Sequence, residues 1–306
     1  MDYISIKEAS EKWKISDSRI RLLCREGRIE GAIKIGRNWA IPFDAVKPID
    51  GRETIKKEYL GLEYDFNTID SLKEKIDKYR PFSKQLAESL HEKLVVEWTY
   101  NSNAIEGNTL TMYETKVVLE GITVGGKTMV EHLETINHRD AILFIEDLVS
   151  NMEPISEWNI RNIHSIILKE IDNKNAGIYR KENVVISGAK HIPPKYYEIT
   201  DLMQELIEEY YNNWEGFHPV VRATLLHGEF VKIHPFVDGN GRIARLLLNF
   251  ELMRYGYPPI IIKNEDRAKY YDVLDIAHTT MNYKPFIKLI SELVVESERL
   301  WISLLH

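Results

Sequence analysis

The chain has 306 residues, 44% hydrophobic and 28% charged, which is the make-up of an ordinary globular protein long enough for two domains and excludes a disordered or fibrous one. One cysteine, Cys24, excludes an internal disulfide and a cysteine-built zinc cage, and fits a reducing, cytoplasmic setting. No apolar run nears the ~18 residues of a membrane span, the opening MDYISIKEASEKWK has no apolar signal core, and a net charge of −7 excludes a nucleic-acid binder over the whole length.

The charge is uneven. Residues 1–50 carry ten Lys/Arg against eight Asp/Glu, a net of +2, which leaves −9 on the remainder. In this first stretch Ser5 and Glu8 form a capping-box pattern for a helix over Ile6–Trp13. Ser16 caps a second helix over Asp17–Glu26, which ends at Gly27. Two short β-like runs follow, Ala32–Ile35 and Trp39–Ile41, joined by Gly36-Arg37-Asn38. Two helices and a hairpin outline a winged helix-turn-helix module over residues 1–48. The stretch SRIRLLCREGRIEGAIKIGRNWAIP resembles the excisionase/MerR-like helix-turn-helix family. That resemblance implies DNA contacts from Arg19, Arg21 and Arg25 on the recognition helix and from Lys34 and Arg37 on the wing. A basic helix face serves solvent equally well, and one such module would need dimerisation to bind DNA usefully.

Residues 49–68 read as a linker, with Gly51 and Gly61 and no sustained period. Residues 69–306 then read as one mainly α-helical domain. Helices are predicted over Ile69–Tyr79, Ser83–Ile105, Thr111–Glu120, Met129–Ser150, Ser156–Leu168, Ile199–Asn212, Val220–Ile233, Arg242–Tyr255, Glu265–His278 and Lys284–Leu304. One segment departs from the helical period. Asn183–His191 has β-branched residues before a Ser187-Gly188-Ala189-Lys190 turn and predicts a short β-hairpin.

Chemistry concentrates in KIHPFVDGNGRIAR, residues 232–245, a loop opening onto a helix N-terminus. Gly239 and Gly241 let the backbone turn its N–H groups inward, and the helix dipole adds positive potential, making a nest for a phosphate. Arg242 and Arg245, three apart on the first turn, converge on the same space. Asp238 inside this basic pocket suggests a divalent cation, Mg²⁺ with most of its waters kept. His234 is the nearby group able to act as a base near neutral pH. No Lys-Ser/Thr follows the glycines, which excludes a Walker loop. His227, a heptad earlier on the same helix, is assigned to packing.

HPFVDGNGRIAR resembles the HPFx[D/E]GNGRxxR motif of the Fic family at every fixed position. The resemblance extends over roughly residues 70–306 and implies a helical domain transferring AMP from ATP to a Ser, Thr or Tyr hydroxyl of a protein, itself included. By this resemblance His234 deprotonates the hydroxyl and Asp238 holds Mg²⁺. The Gly239-Asn240-Gly241-Arg242 backbone and the Arg242 side chain bind phosphates, and Arg245 grips the γ-phosphate. NVVISGAKHIPP, residues 183–194, resembles the family's flap, which clamps the target protein by strand addition and brings Ser187–Lys190 near the nucleotide. Tyr270 matches an adenine-pocket residue, and His278 stands where some relatives have Asn.

SNAIEGN, residues 102–108, resembles the family's inhibitory motif [S/T]xxxE[G/N], on a helix over about 83–107. Ser102 and Glu106 share a helix face at i and i+4, and Gly107 suits a left-handed cap. The resemblance implies that Glu106 pairs with Arg245 in the γ-phosphate position, and in some relatives the Glu also helps remove AMP. Two alternatives stay open: a DNA-binding transcriptional regulator that uses the pocket as a nucleotide sensor, and a Fic-type transferase with another donor. The implied partners are ATP, a protein substrate on the flap, DNA at the N-terminal module and a second copy of the chain, with no membrane.

Overall fold

A computed structural model describes residues 2–15, 17–25, 27–36, 38–48 and 66–305, without the side chains of Ser18 and Leu22. The Ser16 cap, Arg37 and nearly all of the expected linker lie outside the described residues.

The N-terminal module holds β1 (Tyr3–Ser5), α1 (Ile6–Trp13), α2 (Asp17–Arg25), β2 (Ile33–Ile35) and β3 (Asn38–Pro42). Ser5 accepts the Glu8 backbone N–H and the Glu8 carboxylate accepts that of Ser5, so the capping box forms as expected. The sheet has three antiparallel strands in the order β1-β3-β2, with Ile4 opposite Ile41 and Lys34 opposite Trp39. The sequence reading misses β1, because three residues are too few to carry an alternation. Ala9, Trp13, Ile20, Leu23, Cys24, Ile29 and Ile41 close a small core of their own.

The larger domain is helical: α3 (Phe66–Asp77), α4 (Lys84–Ile105), α5 (Met112–Leu119), α6 (Met129–Ser150), α7 (Glu157–Ile167), α8 (Ile199–Asn212), α9 (Pro219–Ile233), α10 (Asn240–Arg254), α11 (Arg267–Thr280) and α12 (Lys284–Leu305). Every predicted helix is present within a few residues of its expected ends. Among the described residues no helix is long and apolar enough to cross a membrane.

The α9–α10 pair is the centre of the domain. Eleven residues of α9 and twelve of α10 are buried, on all sides of each helix, and the other helices pack around them. Burial all round places a helix in the middle of a bundle rather than at its surface. The loop between them, residues 234–239, therefore has its backbone fixed at both ends by the core.

One expectation fails. Residues 183–191 form no strand; Ala189 N–H closes a turn on the Ile186 carbonyl, and Gly188 sits at φ 81°. An isolated two-stranded ribbon is marginal in water. This segment is held by side chains instead: Lys190 N–H donates to the Asp275 carboxylate, and His191 Nε2 donates to the Lys232 carbonyl.

Candidate functional site

The 234–239 loop begins with a left-handed helix cap at His234 (φ 52°) and ends with another left-handed residue, Gly239 (φ 78°), which starts α10. No side chain caps α10, so the first N–H groups of its first turn stay open to an anion. The Asn240 amide instead grips the loop: its Oδ1 accepts Phe236 N–H at 3.0 Å and its Nδ2 donates to the Phe236 carbonyl at 2.9 Å. The Asn240 side chain is thus spent on the loop, which leaves its backbone for the nest, the part expected to meet a ligand.

Two arginines rise from this turn and both are buried. Arg242 donates to Glu134 Oε1 at 2.9 Å and to Asp238 Oδ2 at 3.0 Å. Arg245 donates through Nε to Ser102 Oγ at 3.0 Å, and through Nη2 to the Ser102 carbonyl at 2.8 Å and to Glu106 Oε1 at 2.7 Å. Burial disfavours the Arg245 cation, but the Glu106 carboxylate with Tyr270 and Tyr271 more than offsets that and raises its basicity. The last two turns of α4 run into the core, with Asn101–Ile105 all buried, which is how Ser102 and Glu106 reach the pocket. Gly107 at φ 103° then ends the helix as expected.

Gly241 reports how close this approach is. A Cβ built on it would lie 2.2 Å from Glu106 Oε1 and 3.2 Å from Arg245 Nη1. The Glu106 carboxylate thus lies against the first turn of α10, on the ground that the open N–H groups and Arg245 make favourable for an anion.

His234 is mostly buried, and its pKa is pushed down to about 4 by burial first and also by the positive charge of Arg180. At neutral pH the imidazole is uncharged and able to accept a proton. Several buried polar atoms here have no hydrogen-bond partner among the described residues: Arg242 Nε, Arg245 Nη1, His234 Nδ1 and His164 Nε2. Natural cores rarely leave such atoms orphaned, and their grouping on one pocket marks a place built for a polar ligand.

Tyr270 and His278, expected near the nucleotide, are both buried, and Tyr270 lies in the field of Arg245 and Glu106. Tyr270 is 1% exposed, hydrogen-bonded to His227 Nε2 at 2.8 Å and packed edge-on to that ring. It is core, and His227 has the packing role expected of it. The next residue, Tyr271, keeps exposed surface and lies in the field of Glu106, which together with a larger effect of burial raises its pKa. His278 is buried, donating to the Gly228 carbonyl at 3.0 Å.

Asp238 bears on a cation. Its carboxylate is 64% exposed, with one oxygen on Arg242 and the other accepting Gly239 N–H at 2.6 Å. Among the described residues no group of three or more His, Cys, Asp or Glu could hold a metal. A lone exposed carboxylate fits Mg²⁺, which keeps waters and takes substrate phosphate oxygens, and does not fit a cage built by protein alone.

Sequence reasoning misses three participants. Glu134, on α6, holds Arg242 and also accepts Asn108 Nδ2 at 2.9 Å. His164, on α7, stacks on Phe236 at 3.7 Å and touches the underside of Gly239. Arg180 donates to the His234 carbonyl. None belongs to the local motif, and only the packing of the helices brings them in.

Two of the arginines expected to face DNA point at α8 instead. Arg19 is buried against Glu205 of α8 at 3.1 Å, and Arg25 pairs with Glu198, which caps α8, at 2.7 Å. Arg21 remains exposed, 3.9 Å from Asp17. An acidic helix competes for the same cations as a nucleic acid, and α8 is where two of them point.

By architecture the larger domain falls among all-helical domains whose polar pocket opens at the N-terminus of a central helix. The Fic/DOC family matches residues 154–252, which include the loop and α10. A crystal structure of a Fic domain containing signalling protein from Bacteroides thetaiotaomicron superposes with a TM-score of 0.72 at 32% identity, covering 78% of this chain and 96% of that one. Fic-1 of C. elegans (residues 134–508) gives 0.71 at 28% identity, covering 82% and 73%. Protein adenylyltransferase Fic of Nematostella vectensis is 34% identical over 262 residues, 80% of this chain and 58% of the relative. That of Aedes aegypti is 38% identical over 201 residues, 64% and 40%. The chain belongs to the Fic/DOC family, and it spans between 40% and 58% of the length of these two curated relatives.

Proposed function

We propose that this chain is an autoinhibited protein adenylyltransferase, moving AMP from ATP to a Ser, Thr or Tyr hydroxyl of a protein, itself included, with release of pyrophosphate. The observation that carries the reading is the Glu106 carboxylate lying on the first turn of α10 and paired with Arg245 at 2.7 Å. A carboxylate placed among open helix N–H groups and a buried arginine occupies the ground a phosphate would take. The adenylyltransferase names of the relatives point the same way.

In this reading the α10 nest and Arg242 hold the phosphates of ATP, and neutral His234 takes the proton of the target hydroxyl as the oxygen attacks the α-phosphate in line. Asp238 would hold a Mg²⁺ ion, whose charge neutralises phosphate oxygens when bound. Arg245 grips the γ-phosphate once Glu106 leaves it. With Glu106 in place the triphosphate is turned away from in-line attack, so the resting protein is slow. Tyr271 replaces Tyr270 as the aromatic beside the adenine, because it alone of the two offers surface. Ser187–Lys190 and the rest of the 183–194 segment take the target backbone. Residues 1–48 form a separate module, docked on α8 and able to meet DNA only on leaving it, and the chain acts in the cytoplasm.

Intact mass after incubation with ATP and Mg²⁺ tests the reading on wild type, Glu106→Gly and Glu106→Gly/His234→Ala. The expected result is an added AMP on Glu106→Gly, little on wild type and none on the double variant. An added phosphate would instead indicate a kinase-like transfer. A double variant as active as Glu106→Gly would remove His234 as the base.

A further inference from the structure

Arg180 stands between the 183–194 segment and the 234–239 loop. It is 3% exposed, and among the described residues no carboxylate lies within ion-pair distance of it. A buried cation without a counter-ion is costly, and a fold that needed only bulk here would be served better by an apolar side chain. Each nitrogen of the guanidinium donates instead to a main-chain carbonyl: Nε to His234 at 2.8 Å, Nη1 to Glu182 at 2.8 Å and Nη2 to Pro194 at 2.6 Å. The Arg180 backbone N–H adds a bond to the Pro235 carbonyl at 2.9 Å.

These acceptors have a common meaning. Glu182 immediately precedes the flap segment and Pro194 ends it, while His234 and Pro235 open the site loop. One rigid planar fork thus ties both feet of the flap to the backbone of the base. The Asn183 side chain, accepting Tyr196 N–H at 3.1 Å, closes the same foot from the other side. Lysine could not do this, because a single ammonium point has no fixed geometry for three carbonyls on three segments.

We propose that Arg180 is a positioning residue of the transfer reaction, fixing the distance between the flap that receives the acceptor protein and the imidazole that takes its proton. The proposal rests on the adenylyltransferase reading, and its test includes readouts that need no transfer. The charged and titratable groups that bear on the His234 ring are Arg180, Glu106 and His191, and Arg180 disfavours a second proton on that ring. An error of about 1 Å in placing reacting groups costs on the order of 10²-fold in rate.

The experiment compares Arg180→Lys and Arg180→Met with their parent, the full chain carrying Glu106→Gly. It follows self-modification with ATP and Mg²⁺, the KM for ATP, hydrogen exchange of residues 182–194 and the His234 titration by NMR. Arg180→Lys should lose about 10²-fold in rate at saturating ATP, hold its KM within about twofold and exchange faster in the flap. Arg180→Met should add an upward shift of the His234 titration, because it loses the charge as well as the fork. Parent-like rate and flap exchange in Arg180→Lys would overturn the proposal, as would a rate loss accompanied by unchanged exchange. If Arg180→Met does not fold, Arg180→Lys decides alone. If the parent transfers nothing, the functional reading fails, while flap exchange and the titration still decide whether Arg180 ties flap to base.

Discussion

Two buried arginines of this protein make ion pairs of the same length and are otherwise opposites. Arg222 donates to Glu251 Oε1 at 2.7 Å, while Tyr210 donates to the other Glu251 oxygen at 2.5 Å and lies under the guanidinium with Arg254 beside it. Both oxygens are used and the carboxylate is sealed from water. Arg245 also meets a carboxylate at 2.7 Å, but its Nη1 has no partner among the described residues and the Glu106 side chain remains 30% exposed. The first cluster is closed and its energy belongs to the fold. The second is open on one side, so that its carboxylate can be exchanged for a ligand anion. A buried polar atom left without a partner among the described residues, rather than burial or ion pairing, separates the two.

Acid should open the contrast widest. Burial pushes His164, His234 and His278 down to about 4, and His138 and His227 well below the usual histidine value. All but His278 lie within the field of the pocket's charged groups. In the unfolded chain each would titrate near 6.5, so between pH 6.5 and 4 the unfolded state binds more protons. Stability is complete above 6.5 and falls as the pH drops through that window. His218, lowered by burial, adds to the five, while Glu298, buried and pushed up to about 8, and His91, raised by its Glu146 partner, work the other way over part of it. Thermal melts should therefore lose several kcal/mol of stability between pH 7 and 5. Hydrogen exchange should quicken around residues 234–245 before it does around Arg222. Equal loosening of both regions would erase the distinction between open and closed clusters.

The next largest effect compares the two carboxylates directly. Glu251→Ala leaves Arg222 buried without its counter-ion and should cost about 3–5 kcal/mol in denaturant unfolding. Glu106→Gly should cost about 1 kcal/mol, since Arg245 keeps both Ser102 contacts and the lost carboxylate was part exposed. A Glu106→Gly protein as unstable as Glu251→Ala would mean that the Glu106 pair is structural.

The same contrast explains what could be read in advance. Helix positions follow from apolar period, because α4 to α12 each bury a stripe or their whole surface in one core. The 232–245 loop was legible because a nest, two arginines, an acid and a base crowd fourteen residues, and Glu106 because Ser102 and Gly107 frame it. Glu134, His164 and Arg180 were not legible. Each is one polar residue of an ordinary helix or loop, given its place by how α6, α7 and the flap feet stack on α9 and α10. The flap misled for a related reason: β-branched Val184, Val185 and Ile186 suit a strand, but a strand needs a partner and the described residues supply none there.

The N-terminal module offers the smallest test, and the comparison recurs there in weaker form. Arg19 and Glu205 are nearly buried, whereas Arg25 keeps about a third of its side-chain surface and Glu198 somewhat less. A double-mutant cycle on Arg25 and Glu198 should give a coupling below about 1 kcal/mol, as half-exposed pairs do. The cycle on Arg19 and Glu205 should exceed it, since removing either partner strands a desolvated charge. The order matters more than the values. If Arg19–Glu205 holds α2 on α8, then Glu205→Lys should release the module and strengthen any gel shift on duplex DNA, which Arg25→Ala would weaken or leave unchanged. A stronger coupling for Arg25 would instead place the hold at the α8 cap, one 3-10 turn from Pro194 and the feet of the flap.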